Sequence, residues 1–391
     1  MLKSGMNIFE RIRVQGFRRL HDVDLKLKPL NVVIGANGSG KTSVLDVFSL
    51  LAASASGNLK QAMSDLSGID ANLTNLLSVN GGRAGSIDFS LAMNVPGFNP
   101  IDYDISIMAM GVGYQIPYES LRQQREKPQP FLHVNARHGD VRYFEPKKGL
   151  VRPTWDYNPT ESALSQVPKM YKEPEEFRKR LASSTHYHVL DVDRRAPIRL
   201  PQQMRDVQLP GHDGEDLVSC LYTLRETDPD RFETIEATLR AGFPDFERLN
   251  FPPVAAGTLA MTWKNKTSKN AFYMHQLSEG TLRFLWLVTL LQSPGLTAVT
   301  MIDEPEVSLH PELLSLLADL LREASQRTQL IVATHADRLV RFLQPHEILT
   351  INVNEDGVAE MIWADELDLQ KWLEEFTLDE VWRMGRIGGR P

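Results

Sequence analysis

The segment Leu30-Asn31-Val32-Val33-Ile34-Gly35-Ala36-Asn37-Gly38-Ser39-Gly40-Lys41-Thr42-Ser43 decides the fold. Its first five residues form a short, mostly apolar run that reads as a buried strand. A glycine-rich loop follows. From Lys41 to Ala53, Val44, Leu45, Val47, Phe48 and Leu51 recur at helical spacing. Gly35 to Thr42 satisfies G-x-x-x-x-G-K-[ST] at each fixed position, with a strand before it and a helix after it. Glycines let backbone amides turn inward around a polyphosphate without a Cβ clash. The helix start adds unpaired N–H groups and roughly half a positive charge. Lys41 brings a point charge to the β and γ oxygens, and Thr42 offers a hydroxyl to Mg²⁺. Asn37, Gly38, Ser39, Gly40, Lys41, Thr42 and Ser43 are therefore the expected phosphate-binding residues.

Further along the chain, three segments supply what a phosphate loop needs. Val299-Thr300-Met301-Ile302-Asp303-Glu304 is an apolar strand ending in two carboxylates. Ligands of α/β sheets bind at the C-terminal edges of strands. Asp303 is expected to hold Mg²⁺ through water, and Glu304 to polarise the attacking water. His335 follows the strand Leu330 to Thr334, a second polar tip on the same rim, and is expected to sense the γ-phosphate. Leu277-Ser278-Glu279-Gly280-Thr281 opens an apolar helix, Glu279 to Gln292. Ser278 there reads as an N-cap, and a capped helix start can also read phosphate.

The rest of the chain bounds the function. It has 391 residues with a net charge of −7, an ordinary globular composition, and one cysteine, Cys220. That excludes a disulfide framework or a Cys-rich zinc site, and fits a reducing, cytoplasmic setting. No apolar run approaches a bilayer span, and Met1 to Met6 lacks a signal-type apolar stretch. Residues 355–380 carry ten Asp or Glu against one Lys, leaving 42 basic and 40 acidic residues elsewhere. No basic nucleic-acid footprint exists at whole-chain scale.

Ile8 to Gln15 and Val23 to Leu27 read as strands ahead of the loop. The middle is less regular. Tyr103 to Met108, Phe131 to Val134 and Val141 to Phe144 read as strands, and Glu215 to Glu226 and Asp230 to Ala241 as helices. Prolines at 128, 130, 146, 153, 159 and 168 break it into short pieces. Leu259 to Trp263 and Ala271 to Met274 suit a hairpin. A helix from Pro311 to about Ser325 and a strand from Ile348 to Val353 follow, and Thr377 to Glu380 has capping-box spacing.

These motifs, in this order, resemble the ABC-type ATPase heads of the SMC and RecF group. Leu277 to Thr281 resembles the ABC signature, with Glu279 and Thr281 departing from L-S-G-G-[QE]. The departures resemble a RecF/OLD-like AAA-labelled branch. In it Asp303-Glu304-Pro305-Glu306 and Ser308-Leu309-His310-Pro311 match the Walker B and D-loop segments, and Ala333-Thr334-His335 matches the switch histidine. Phe17-Arg18-Arg19 resembles an F-R-S element, by which Arg18 would touch the nucleotide phosphates. No spacing argument selects a Q-loop glutamine, with Gln123 and Gln124 both open.

The resemblance implies an α/β fold: an ABC-type P-loop head with a mixed central sheet, flanking helices and a β-subdomain, interrupted by a helical or irregular insert. The implied division is lobe I at 6–93, an insert at 94–257, lobe II at 258–364 and an acidic, aromatic tail at 365–391. About 27 residues follow Ala364, too few for the Toprim nuclease domain of OLD-type relatives. ATP and Mg²⁺ are the implied ligands. A homodimer is implied in which Ser278 and Gly280 of one copy cap the ATP of the other. Three roles stay open: a switch controlling a separately encoded effector in anti-phage defence, a RecF-like DNA clamp using Arg194, Arg195, Arg199 and Arg205, or a non-hydrolysing scaffold. Trp363, Trp372, Phe376 and Trp382 amid the acidic tail suggest a protein-binding end, made flexible by Gly385, Gly388 and Gly389.

Overall fold

The computed structural model describes residues 8–76, 82–125, 129–169 and 172–388. Met1 to Met6 and Gly389 lie outside the described residues. Two sheets organise the chain. The six-stranded sheet runs Thr185–Tyr187, Val299–Asp303, Gln329–Thr334, Leu30–Ile34, Ile348–Val353 and Ala359–Trp363. The first five strands are parallel and the last is antiparallel. Parallel strands need both faces covered, and their sequences are correspondingly apolar throughout. Val32, Ile34, Ile302 and Val332 face one buried cluster, and Val33, Met301, Ile331 and Ala333 face another. The first cluster holds the helices Leu217–Thr227, Pro229–Gly242, Glu279–Gln292 and Leu313–Ala324; the second holds Lys41–Ser56.

The second sheet has eight antiparallel strands, beginning Leu20–Lys26, Ile8–Phe17, Ser86–Asn94, Ile101–Met110 and Gly113–Gln123. It continues through Phe131–Arg137, Asp140–Glu145 and Gly149–Val151. Phe9, Ile12, Phe89, Leu91, Ile105 and Leu121 on its inner face share one buried cluster with the phosphate-loop helix. In Ser86–Asn94 buried and half-buried residues alternate along the whole strand, as a sheet with one buried face requires. The fold is thus mixed α/β, with a large sheet beside the nucleotide-loop sheet, as the resemblance implied.

The middle of the chain differs from the sequence reading. The eight-stranded sheet runs unbroken across the 93/94 boundary, because Met93 pairs with Ile101 and Ser86 with Met108. Much of the region read as irregular is this sheet. Another part, Thr185–Tyr187, joins the nucleotide-loop sheet beside Val299–Asp303. The hairpin near residue 265 is smaller than read: Thr262–Asn265 pairs with Phe272–Tyr273, while Leu259 pairs in a separate three-stranded sheet.

The C-terminal segment is part of the core. Trp382, Val381 and Leu378 of the helix Leu378–Arg383 are buried among the same residues as Leu339 and Val340. Thr377 and Glu380 form the capping box. A Cβ on Gly388 would meet Asn352 Oδ1 at 2.4 Å, so this glycine is tightly packed against Ile348–Val353. The reading of a flexible end therefore fails at Gly388. Trp363 is buried, its indole N–H donating to the Lys26 carbonyl at 2.9 Å, and Trp372 and Phe376 lie partly buried against the core.

Candidate nucleotide site

Parallel register brings the strand tips to one rim. Thr334 pairs with Ile34, Asp303 with Ala333 and Tyr187 with Ile302. The phosphate loop, the Asp303–Glu304 pair, His335 and His188 therefore leave the sheet side by side. This is the C-terminal edge where α/β sheets bind ligands.

The loop is shaped for close approach. A Cβ on Gly35 would lie 2.3 Å from the Ile351 carbonyl oxygen, so only glycine fits against that strand. Gly38 and Gly40 adopt positive φ, at 74° and 115°, and a Cβ on Gly38 would meet nothing within 4 Å. Asn37 and Gly38 stand exposed at the crest. Ser39 Oγ is buried without a hydrogen-bond partner among the described residues. Gly40 begins the helix with no side-chain cap and no acid in the first turn, so the helix start keeps its positive end free. Thr42 is exposed there, while Ser43 is buried.

Lys41 folds back across the loop, donating to the Gly35 carbonyl at 2.8 Å and the Ala36 carbonyl at 3.0 Å. Burial lowers its pKa, while Glu304, Asp303 and Glu306 pull the other way. The open cradle, uncapped helix start, unpartnered Ser39 hydroxyl and buried ammonium fit a polyphosphate.

On the neighbouring tips, Glu304 adopts φ 48° and its N–H donates to Ala333 O at 2.8 Å. That turn presents its carboxylate to His335, whose Nδ1 is 3.0 Å from Glu304 Oε1. Asp303 is half-buried; burial first, then Glu304, raises its pKa, opposed by His188 and Lys41. An exposed hydroxyl at Thr42 and a carboxylate at Asp303 are the oxygen donors that Mg²⁺ takes. Glu306 is buried and its pKa is raised by that burial; Thr334 Oγ1 donates to it at 2.6 Å. The same Thr334 oxygen accepts from the Ala336 N–H, fixing the turn that carries His335.

Ser278 caps the helix Glu279–Gln292, its Oγ accepting from Thr281 N–H at 3.2 Å. A Cβ on Gly280 would lie 2.5 Å from Ser308 O, so the signature helix start abuts the segment after the Walker B strand. Arg199 supports this segment, donating to Leu277 O at 2.9 Å.

The guanidinium of Arg18 pairs with Asp46 of the phosphate-loop helix at 2.6 Å, and also donates to Asn72 Oδ1 and Ser43 Oγ. Gln123 sits at the end of a strand of the other sheet, donating to Asn99 O, and Gln124 follows it. The strand beside Walker B is followed instead by His188, which sequence reading missed. The clue was the alternating Thr185-His186-Tyr187-His188, but its place depends on pairing with a distant strand. Of the four arginines a DNA clamp would use, Arg199 is bound internally, Arg205 pairs with Asp216 at 3.4 Å, and Arg194 and Arg195 are exposed. No helix among the described residues is long and apolar enough to cross a membrane.

A family model described as "AAA domain, putative AbiEii toxin, Type IV TA system" matches residues 30–341. The OLD nuclease of Thermus scotoductus (strain ATCC 700910 / SA-01) is 43% identical over 44 residues, covering 11% of this chain and 8% of that protein. The DNA replication and repair protein RecF of Pseudomonas savastanoi pv. phaseolicola is 55% identical over 42 residues, covering 10% of this chain and 11% of RecF. The chain thus spans only about a tenth of these curated relatives. An Smc head bound to the C-winged helix domain of ScpA superposes with a TM-score of 0.57 at 16% identity, covering 91% of this chain and 97% of that one. The Smc head with an extended coiled coil bound to the C-terminal domain of ScpA, derived from Pyrococcus furiosus, gives 0.55 at 14%, covering 95% and 99%. At such identities the likeness is one of fold.

Proposed function

The chain belongs to this AAA-domain family, within the SMC/RecF/OLD group of ABC-type ATPases, and on that premise we propose that it is an ATP-hydrolysing switch that closes head to tail on a second copy. The observation that carries this reading is the shared rim on which the Lys41 loop, Asp303, Glu304 and His335 meet.

Lys41 exchanges the Gly35 and Ala36 carbonyls for the β and γ phosphate oxygens, with little change in its burial. The loop amides and the helix start at Gly40 hold the remaining charge. Thr42 and Asp303 would hold Mg²⁺, which neutralises charge on the phosphates. Glu304 accepts the proton of the attacking water, and His335 holds the Glu304 carboxylate in place. Ser278 and Gly280 of one copy face the γ-phosphate bound by the other, so loss of that phosphate removes the bridge. Arg18 acts through the helix, by way of Asp46 and Ser43, rather than at the phosphates.

The switch governs a separately encoded effector protein, as in anti-phage defence. The family's description, which names a toxin–antitoxin system, is in keeping with such a partner. The exposed Arg194 and Arg195 favour DNA clamping as a second reading. Salt-dependent retention on DNA, lost in a double alanine variant of these arginines, would establish it. A cytoplasmic location accords with either reading. ATP binding and phosphate release by the full chain and by Lys41→Ala test the core proposal. The full chain should do both and Lys41→Ala neither; equal ATP binding by the two would overturn the assignment.

A further inference from the structure

The strand Thr185–Tyr187 lies against the Walker B strand, with His186 opposite Met301 and Tyr187 opposite Ile302. His188 is thereby level with Asp303. Alternation along the strand sends His186 and His188 to one face, and their rings lie 4.0 Å apart, centroid to centroid. One ligand atom from each of His186, His188 and Asp303 lies within 4.8 Å of the other two.

A second observation concerns the ring nitrogens of His186. Ser49 Oγ lies 3.3 Å from Nδ1, a contact in which either group can donate according to the tautomer, and 3.1 Å from the Leu45 carbonyl oxygen. Nε2 is buried with no hydrogen-bond partner among the described residues, and with Nδ1–H turned to Ser49 it has its lone pair to offer. Histidine ligands are commonly oriented in this way, one nitrogen tied by a hydrogen bond and the other turned to a metal.

We propose that His186, His188 and Asp303 form a binding site for a divalent transition metal, held by the chain without nucleotide. The chemistry of the donors selects the class. Mg²⁺ takes an oxygen shell and keeps its waters. Two imidazoles and a carboxylate suit Mn²⁺, Fe²⁺, Co²⁺ or Zn²⁺, with positions left open for further ligands. The metal would join the flanking strand to the Walker B strand at the rim of the phosphate loop. Asp303 is shared with the Mg²⁺ assignment, but the inference stands on the cluster and needs no nucleotide.

Co²⁺ is the probe, because its visible absorption reports nitrogen ligation. The untagged full chain, free of nucleotide, is titrated at neutral pH in excess Mg²⁺. It should bind one Co²⁺ saturably, with a d–d band that excess Mg²⁺ does not remove. His188→Ala, at an exposed position, should weaken binding by at least about tenfold, and His186→Gln likewise. Lys41→Ala should still bind Co²⁺ saturably, since it removes no ligand and only a cation near Asp303, which separates this result from the fate of the ATPase reading. The absence of saturable Co²⁺ binding, or parental affinity in His188→Ala, would overturn the site.

Discussion

Nδ1 of His335 lies 3.0 Å from Oε1 of Glu304, joining the tips of two neighbouring parallel strands. The contact depends on the left-handed turn at Glu304 and on Thr334, whose hydroxyl ties Glu306 to the His335 turn. The carboxylate proposed as base and the imidazole proposed to orient it are thus held together by backbone geometry.

Glu304→Gln keeps the shape and removes the proton-accepting charge. Turnover should fall about 10²–10⁴-fold while ATP binding persists. His335→Ala should lower kcat with KM little changed, since it acts through Glu304. Steady-state phosphate release and equilibrium ATP binding check both. Parental kcat in Glu304→Gln would move the base elsewhere.

Ser278→Arg places a bulky cation at the exposed start of the signature helix. ATP binding by each copy should survive through its own Lys41, and hydrolysis should fail. Mixed with Lys41→Ala, it should recover at most one working site per pair. Parental hydrolysis by Ser278→Arg alone would exclude the head-to-tail arrangement as the active form.

The C-terminal helix yields a prediction of stability. Trp382 is fully buried, so Trp382→Ala should cost about 3–5 kcal/mol. Truncation after Leu367 also removes buried Leu378 and Val381 and should lower the urea midpoint, rather than only weakening a partner contact. An unchanged midpoint in both variants would contradict the packing.

Acid should also weaken the fold through His133. Burial lowers this imidazole to about 4 from an ordinary 6.5. The unfolded chain then binds a proton between those values that the native chain does not. Stability contributed by neutral His133 is therefore intact above pH 6.5 and is lost as the pH falls toward 4. The loss approaches about 1.4 kcal/mol per pH unit within the window. Denaturant titrations of the parent and of His133→Gln should show a shallower pH dependence in the variant.

The phosphate loop was legible because its chemistry is contiguous: Gly35 to Thr42 carries its own strand and helix context. Asp303, Glu304 and His335 were legible because each closes an apolar strand. The partners of Arg18 were not, because Asp46 and Asn72 meet it only in the folded chain. His188 was hidden for a related reason: a three-residue strand carries too little pattern to declare its neighbour. The strand Ser86–Asn94 was readable in principle, with Ile87, Phe89, Leu91 and Met93 in strict alternation. The tail misled because its acids dominate its composition while Trp382 and Val381 decide its packing.

The mass of Glu304→Gln in solution tests the switch most directly. Light scattering is recorded without nucleotide, with ADP and Mg²⁺, and with ATP and Mg²⁺. The account predicts twice the 44.2 kDa chain mass with ATP alone, and no doubling when Ser278→Arg is added. One unchanged mass under all three conditions, with ATP shown to be bound, would contradict it.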